Sequence, residues 1–452
     1  MTTPGLLVGA AKVDITPDLG MQISGDIGRY RPVEEIRNRL YARVFVLRTG
    51  ERTVCILACD MACISREHSL GFRRRIAELI DARPEDVMIH CVQSHSAARV
   101  GGMFDDPEGI LSPELWWVRG ETPAYNTLFI EAVLAGVAQA RDAMVPAKAK
   151  FARGIDGRCA FNRRFVMRDG TAKTHPGNCN EEVLYCEGPV DPELSLTLFE
   201  DEGGKPIAGL LHFTCHPIHG YPRRYVCPDW PGLWSEAMSQ KLGGDCVVGC
   251  LNGACGNLSP IDHTNPDHNS ATNLERMIGC LVQSGEKLIE KLKPVEELPL
   301  QTANRVLRIA WNQPRPEDVE AARRMLAEHP EPIFVDEAKT QISWDWVFAL
   351  RDLDKVHKLS TDPDYNFEIQ VFRLGDLVVV GWPGEPFVEA QLEVKLKSAS
   401  RLVVVAHECN DECGYLPTLS AAQRGGYEAW GKLPPGTLGK MAETTVEMIA
   451  GL

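Results

Sequence analysis

The chain has 452 residues, with 62 Asp and Glu residues against 48 Lys and Arg residues, and its formal net charge is −14. This balance argues against a nucleic-acid-binding protein, because such proteins bind phosphates through clustered Lys and Arg, and the sequence contains no basic block. Apolar residues make up 44% of the chain, which is enough to form a large buried core.

The N-terminal segment lacks the charged start and the apolar run of a secretion signal, and nowhere do about eighteen apolar residues follow one another. These features predict a cytoplasmic protein with no membrane partner. The fifteen cysteines lie mostly within apolar runs such as TVCILACDMAC (53–63), which favours buried thiols over disulfides. The spacing of Cys246, Cys250 and Cys255 contains no CxxC pair and disfavours a structural zinc site.

The first 150 residues alternate short β-rich runs with helical patterns, which is typical of a layered α/β domain with a parallel or mixed sheet. Strands and helices are predicted in the order strand, strand, helix, strand and helix, at 42–50, 53–60, 69–80, 86–94 and 124–144. Residues 150–200 have no clear period and many turn formers. They are predicted to form a long ordered loop or hairpin over one end of the sheet.

The strand and helix alternation returns from about residue 205 and continues to the GNLSP motif at 256–260. The patterns then predict an amphipathic helix over 265–297, a strand over 299–311, a polar helical segment over 316–360, and two strands leading into a helix from 368. No internal repeat, low-complexity tract or Gly/Ser linker separates the two halves. We therefore expect one domain spanning residues 1–452.

Reactive side chains follow five of the predicted strands, and ligands of open α/β sheets bind beyond such carboxyl ends. Each of these residues alone has a structural explanation, such as a hydrogen-bonded histidine, a helix start, a turn or ordinary packing. Their occurrence at separate strand ends favours a shared site. Imidazole and carboxylate suit a zinc ion, which needs three or four protein ligands. The residues are His95, His216, His219, Ser259, Glu385 and Tyr415.

Eight short motifs are spread along the chain: GAAKVDITP (9–17), SHSAA (94–98), FNRR (161–164), CHPIHG (215–220), CPDWPG (227–232), GNLSP (256–260), PGEPF (383–387) and NDECGYLPT (410–418). In this order they match landmarks of the neutral/alkaline non-lysosomal ceramidase family. The chain resembles this family over about residues 8–430, and its shorter bacterial members most of all. The resemblance implies an α/β fold, with a layered mixed-sheet catalytic domain similar to the neutral ceramidase N-terminal domain.

The resemblance also implies a zinc-dependent amidohydrolase that cleaves an N-acyl bond. The zinc ligands that it implies are His95, His216, Glu385 and Tyr415. Ser259 matches the serine usually assigned as the nucleophile, and Arg163 matches an arginine that would face the developing oxyanion. His95 would assist at the oxyanion, and Tyr415 would donate a proton to the leaving amine. Either Ser259 or a zinc-activated water would attack the carbonyl carbon.

Two positions depart from the family pattern. The first histidine of its T-H-T-H-S motif is replaced by Gln93, so that only the second histidine, His95, remains. Either His95 takes over as a ligand, or Gln93 ligates through its amide oxygen, or the site binds metal poorly. The aspartate of G-D-x-S-P-N is replaced by Asn257, which removes a charge beside the serine.

Ceramide itself is not the expected substrate, because the sequence lacks the family's immunoglobulin-like C-terminal domain and a membrane-binding segment. We expect a small soluble molecule with an acyl bond as the partner. Two alternatives stay open, a metal hydrolase of esters or lactones and a degenerate binding protein that has lost its metal. His219 and Asp229 are candidate neighbours of His216. Four tryptophans are expected to line a compact pocket: Trp116, Trp117, Trp230 and Trp234.

Overall fold

The structure, a computed structural model, describes residues 5–106, 109–269, 273–295, 299–429 and 431–452. Its α-helices are α1 (Arg66–Ile80), α2 (Pro123–Asp142), α3 (Asp229–Lys241), α4 (Asn273–Ile289), α5 (Pro316–Glu328), α6 (Trp344–Thr361), α7 (Val388–Lys397), α8 (Leu419–Arg424) and α9 (Thr437–Ala450). Several begin with a proline in the first turn, where the missing N–H costs no hydrogen bond, as in α2 and α5.

The strands differ widely in length. In chain order they are β1 (Leu6–Asp14), β2 (Glu35–Ile36), β3 (Tyr41–Thr49), β4 (Arg52–Cys59), β5 (Val87–Cys91), β6 (Val145–Ile155), β7 (Phe161–Asn162), β8 (Arg164–Met167), β9 (Ala172–Thr174), β10 (Val183–Cys186), β11 (Glu193–Asp201), β12 (Pro206–Phe213), β13 (Tyr225–Val226), β14 (Val247–Asn252), β15 (Leu258–Ser259), β16 (Lys293–Pro294), β17 (Leu300–Ala310), β18 (Asp364–Leu374), β19 (Leu377–Gly381), β20 (Glu385–Pro386), β21 (Leu402–Ala406) and β22 (Tyr415–Leu416).

Two mixed sheets form the centre of the molecule. The larger has the order β14-β12-β11-β6-β1-β3-β4-β5, with β16 added beside β6, and the smaller has the order β17-β18-β19-β21. Most neighbours are antiparallel, but β12 with β14, β4 with β5, and β19 with β21 are parallel. The parallel pairs therefore lie at the ends of the two sheets, where β5, β14 and β21 are the outermost strands. Loops of the cavity described below follow the carboxyl ends of these parallel pairs.

The two sheets pack face to face between two layers of helices. In β3, Val44 and Val46 belong to the core under α1 and α2, whereas Phe45 and Leu47 belong to the core shared with the smaller sheet. The alternation follows from the two-residue period of a strand, and it explains why such strands are apolar at nearly every position. Helices α3 and α4 cover the rest of the larger sheet, and α7 and α9 cover the outer face of the smaller one.

This α/β/β/α arrangement confirms the layered mixed-sheet fold predicted from the sequence. The prediction for residues 150–200 was too simple: in addition to β6 and β11, this segment contains a small sheet of order β10-β8-β9. Its short strands carry too few residues to show a period. The predicted helix over 265–297 is α4 and is shorter, and residues 270–272 and 296–298 lie outside the described residues. The segment over 316–360 is two helices, α5 and α6.

None of the helices in the described ranges has both the length and the apolar character needed to cross a membrane.

A buried ion pair connects the two sheets through α1. Arg73 donates two hydrogen bonds to the carboxylate of Glu368 in β18, at 2.6 and 2.9 Å. Burial alone would raise the pKa of Glu368, but the two bonds and the charge of Arg73 hold it below its usual value. The paired form therefore stabilises the folded state at neutral pH.

We predict that Glu368→Gln lowers the free energy of unfolding by about 3 kcal/mol, because it leaves the Arg73 charge buried without its partner. Urea unfolding at pH 7 measures this change. The control is Glu317→Gln, which removes an exposed ion pair with Arg315 and should cost less than about 0.5 kcal/mol. An equal loss in both variants would contradict the prediction.

The same pair predicts a pH dependence with a definite sign. The pKa of Glu368 is lower in the folded than in the unfolded chain, so its stabilising contribution is present above the usual value of 4.5 and is lost as the pH falls through the folded pKa. The difference in stability between the wild type and Glu368→Gln should therefore shrink below a pH of about 4.5. Unfolding curves at pH 7, 5 and 3.5 check this.

Candidate active site

A cavity of about 970 Å³ opens where the carboxyl ends of strands from both sheets meet. Its wall includes residues that follow β5, β12, β19 and β21. His95, His216, Glu385, Tyr415 and Arg163 all line it, together with Gln93, Glu408, Arg99 and Trp344. The cavity has the size of a pocket for a small molecule.

His95 and His216 face each other across the cavity wall. Their Nε2 atoms lie 2.9 Å apart and share a hydrogen bond, and the two rings are inclined at 54°. Burial lowers the pKa of His95 to about 3, with Arg31 and Arg163 adding to the effect. Burial, Arg163 and His95 likewise bring the pKa of His216 well below its ordinary value. Both imidazoles are therefore neutral at pH 7.

Glu385 and Tyr415 are neighbours across a short parallel bridge between β20 and β22. The Oε2 atom of Glu385 is buried and has no hydrogen-bond partner among the described residues. Burial raises the pKa of Glu385 to about 7, although Arg163 and hydrogen bonding by Gln93 and Tyr415 oppose the shift. Burial and the nearby Glu385 raise the pKa of Tyr415 well above its usual value, so the phenol keeps its proton.

Arg163 is held rigidly beside this pair. Its Nε donates to Glu428 at 2.9 Å, its Nη2 donates to the carbonyl oxygen of Gly256 at 2.7 Å, and its guanidinium carbon lies 5.4 Å from the centre of the Tyr415 ring. Glu428 also accepts a hydrogen bond from Arg164. Because the buried Arg163 charge is oriented in advance and borders the cavity, it can stabilise negative charge that develops there.

Ser259 lies behind the cavity rather than on its wall. Its side chain is fully buried, and its Oγ accepts a hydrogen bond from the N–H of Ile261 at 3.2 Å. The pairing of β15 with β7 brings Ser259 opposite Phe161. Among the described residues that border the cavity, Ser259 is absent, although its neighbour Ile261 is present.

Asn257 has a structural role that an aspartate could not fill. Its Oδ1 accepts from the N–H of Val388 in the first turn of α7, while its Nδ2 donates to Glu389 at 2.9 Å. An aspartate could accept the first bond but would repel the second group. The neighbouring Glu389 thus favours an asparagine over an aspartate at this position.

Gln93 stands close to the proposed ligands, in a backbone conformation with φ of 69°, which non-glycine residues rarely adopt. It hydrogen-bonds to Glu385. The Sγ of Cys255 lies 3.9 Å from the Oε1 of Gln93 and 3.7 Å from the Nδ1 of His216. The one signal in the sequence that could have connected Cys255 with the site was its position three residues beyond the end of β14.

A metal ion would need several donor atoms that converge on one point. In the part of the chain that the structure describes, no group of three or more His, Cys, Asp or Glu side chains is arranged to hold one. Two imidazole nitrogens nevertheless converge, one carboxylate oxygen nearby lacks a partner, and Tyr415 and Gln93 add oxygen atoms to the same wall. This donor set suits zinc chemically, and a cation between the histidines would replace the proton that they share.

Two further candidates lie apart from this centre. His219 pairs with Asp229 at 2.7 Å, and its other ring nitrogen contacts Asn273 at 3.1 Å. His212 is buried in β12 and contacts the carbonyl oxygen of Leu251. His219 and Asp229 therefore form a pair of their own at the start of α3, and no described hydrogen bond links either of them to the His216 ring.

The expectation for the four tryptophans was wrong. Trp230 and Trp234 are fully buried in the core beneath α3, and Trp117 packs against Tyr30. None of the four is among the described residues that line the cavity, where the tryptophan is Trp344 at the start of α6. Proximity to the CPDWPG motif was misleading, because α3 begins within this motif and turns the indoles of Trp230 and Trp234 inward.

Comparison with known proteins supports the fold. No protein-family model matches the sequence, and no curated protein matches it. The solved structure of the neutral ceramidase from Pseudomonas aeruginosa superposes with a TM-score of 0.73 at 18% identity, covering 99% of this chain and 74% of that chain. A ceramidase complexed with C2 gives a TM-score of 0.71 at 17% identity, covering 99% of this chain and 75% of that chain. The chain thus has a neutral ceramidase-like fold, as its motifs predicted.

Gly256 offers a test of how the Glu385 segment is supported. A Cβ atom at Gly256 would come within 2.4 Å of the carbonyl oxygen of Glu385, which is a backbone atom. We predict that Gly256→Ala destabilises the chain by about 1–3 kcal/mol and displaces β20. Thermal unfolding and a crystal structure of the variant measure the two effects. Gly279→Ala in α4, where nothing lies within 4 Å, is the control and should be neutral or stabilising.

Proposed function

We propose that this protein is a hydrolase that cleaves an amide bond of a small N-acyl molecule, with a zinc ion held by His95, His216, Glu385 and Tyr415. The observation that carries the proposal is the meeting of these four side chains, from four separate segments, on the wall of one cavity. The neutral ceramidase-like fold adds support, because ceramidases cleave an N-acyl bond.

The protein's own residues can perform several parts of the reaction. His95 and His216 are neutral and so can offer nitrogen lone pairs to a cation. Arg163 keeps a buried positive charge at the wall, where it would stabilise the oxyanion of a tetrahedral intermediate. Tyr415 keeps its phenolic proton and can donate it to a leaving amine. A zinc ion at this centre would polarise the scissile carbonyl and make a nucleophile available at neutral pH.

Access to the cavity favours water over Ser259 as the nucleophile. Ser259 is fully buried and does not border the described cavity, whereas His95, His216 and Arg163 all line it. We therefore favour attack by water, with Ser259 in a structural role in β15, which directly follows Asn257. On this view Ser259→Ala keeps most of the activity.

Two alternatives each have an observation in their favour. The oxyanion-stabilising groups would serve an ester or lactone equally well, since fold does not determine the bond that is cleaved. Gln93, in the position of the family's first zinc ligand, favours a binding protein that no longer holds metal. The cytoplasmic location and the single domain remain predictions from the sequence.

Metal content is the first test. We predict about one zinc per chain by elemental analysis, and hydrolysis of N-acyl substrates that is lost on chelation and restored by zinc. His216→Ala should lower both the zinc content and the activity by at least about tenfold, because it removes a ligand. His357→Ala, an exposed histidine in α6, is the matched control. A metal-free protein whose hydrolysis survives chelation would rule out the zinc assignment.

A substitution of Gln93 is predicted to strengthen zinc binding, whereas His216→Ala weakens it. Gln93→His introduces an imidazole next to Glu385 and His216, so we expect the dissociation constant for zinc to fall by at least about tenfold. Competition with a chromogenic chelator measures it without relying on turnover. If zinc affinity is unchanged while His216→Ala still reduces it, the ligands do not include the residue at position 93.

A panel of substrates separates the remaining alternatives. N-acyl amines, aryl esters and lactones are assayed with the wild type and with Arg163→Lys, which keeps the charge but not the guanidinium geometry. Preference for the amides, together with a loss of about 10²–10³ in kcat for Arg163→Lys, agrees with the proposal. Binding without turnover of any member would favour the non-catalytic alternative.

A further inference from the structure

Glu408 is a second buried carboxyl group in the cavity wall that the proposed hydrolytic centre does not use. It lies two residues beyond the end of β21 and is only 1% exposed. Neither of its carboxyl oxygens has a hydrogen-bond partner in the described ranges, yet the residue borders the cavity. An unsatisfied buried carboxyl group is costly, so its presence calls for a reason.

The backbone of Glu408 points to the same conclusion. Its φ is 45°, in the left-handed region that favours glycine. Its N–H donates to Gly384 and its carbonyl oxygen accepts from Cys91, so the strained residue is held beside the Glu385 segment and β5. Strain of this kind is concentrated at functional sites, where the surroundings enforce it.

Arg99 provides a complementary donor on the same wall. Its Nε and Nη2 donate to the carbonyl oxygens of Gly101 and Gly102, and Nη2 also contacts Glu412 at 3.4 Å. Its Nη1 atom is buried and lacks a partner among the described residues. The cavity thus presents an unsatisfied guanidinium donor and an unsatisfied carboxyl group in addition to the hydrolytic centre.

The charges of the cavity limit the kind of group that these atoms can receive. Four residues with carboxyl groups and four cationic residues line the described cavity: Asp26, Glu385, Glu408 and Glu412, and Arg99, Arg163, Arg351 and Lys432. Three of the cations are already paired, Arg163 with Glu428 and both Arg99 and Lys432 with Glu412, so that little attraction is left for a charged ligand. An uncharged hydroxyl group both donates and accepts, and so can satisfy Glu408 and Arg99 together. Trp344 and Phe348, also in the wall, provide ring faces for the apolar side of such a molecule.

We propose that Glu408 and Arg99 form a subsite for an uncharged hydroxylated group, and that the substrate is an N-acylated amino sugar. The subsite is inferred from the cavity alone, whereas the choice of an N-acylated amino sugar as substrate also rests on the proposed amide hydrolysis. Glu408 is then a specificity-determining residue. A substrate without hydroxyl groups would leave the carboxyl oxygens of Glu408 unpaired in the complex. Binding sites that hydrogen-bond a substrate hydroxyl group discriminate strongly against substrates that lack it.

The test compares N-acetylglucosamine with N-cyclohexylacetamide, which has the same ring size and amide but no hydroxyl groups. Ligand-observed NMR measures the dissociation constant of each compound for the wild type, for Glu408→Leu and for Glu408→Gln. We expect the wild type to bind N-acetylglucosamine at least about tenfold more tightly than the cyclohexyl compound. Glu408→Leu should abolish this difference, and Glu408→Gln, which keeps an acceptor and a donor, should restore part of it.

Stability provides a second readout that a merely structural role would not produce. Glu408→Leu removes a buried polar group without partners, so its melting temperature should equal or exceed that of the wild type while N-acetylglucosamine binding falls. A lower melting temperature with unchanged preference between the two compounds would overturn the inference.

The outcomes also separate this inference from the proposed function. Glu408-dependent binding of N-acetylglucosamine without hydrolysis supports the subsite and counts against the hydrolase. Hydrolysis of both compounds at equal kcat/KM, unaffected by Glu408→Leu, supports the hydrolase and overturns the subsite.

Discussion

The candidate site depends on a set of buried hydrogen bonds that connect the two sheets at their carboxyl ends. The N–H of Ile89 in β5 donates to the side chain of Asn410, the N–H of Asn410 donates back to the carbonyl oxygen of Ile89, and the Asn410 amide continues to Gln370 in β18. Nearby, the His90 ring contacts the carbonyl oxygen of His407 at 2.6 Å and accepts from the N–H of Asn252 at 3.0 Å. These bonds join the ends of β5, β14 and β21, so the loops that follow these strands converge.

The protonation state of His90 makes this connection specific. Burial lowers the pKa of His90 to about 3, so the ring is neutral at pH 7. Because its Nε2 accepts from Asn252, its Nδ1 carries the proton and donates to His407. The ring can therefore satisfy one acceptor and one donor from two different strands. A protonated ring would lose the second bond, since it has no lone pair to accept it.

Burial also determines the chemistry of the cavity. The same loss of water keeps His95 and His216 neutral, raises the pKa of Glu385, and strengthens the field of Arg163. Arg163 is tolerated there because Glu428 and the Gly256 carbonyl oxygen accept its hydrogen bonds. Several unsatisfied buried groups of the described residues lie on the cavity wall, among them Glu385, Glu408 and Arg99. Unsatisfied groups on the cavity wall are available to bind a ligand, and both proposals depend on this availability.

The sequence by itself was sufficient for the fold class. Apolar runs revealed the strands, and the reactive residues that follow them, His95, His216, Glu385 and Tyr415, do line one cavity with Arg163. The sequence could not reveal Glu408, because a glutamate after a strand gives no sign of lacking partners. It also could not show that Ser259 and Trp230 do not line the cavity. Periodicity reports which residues are buried, whereas contact between distant segments is decided by how the two sheets pack and by the hydrogen bonds that join their ends.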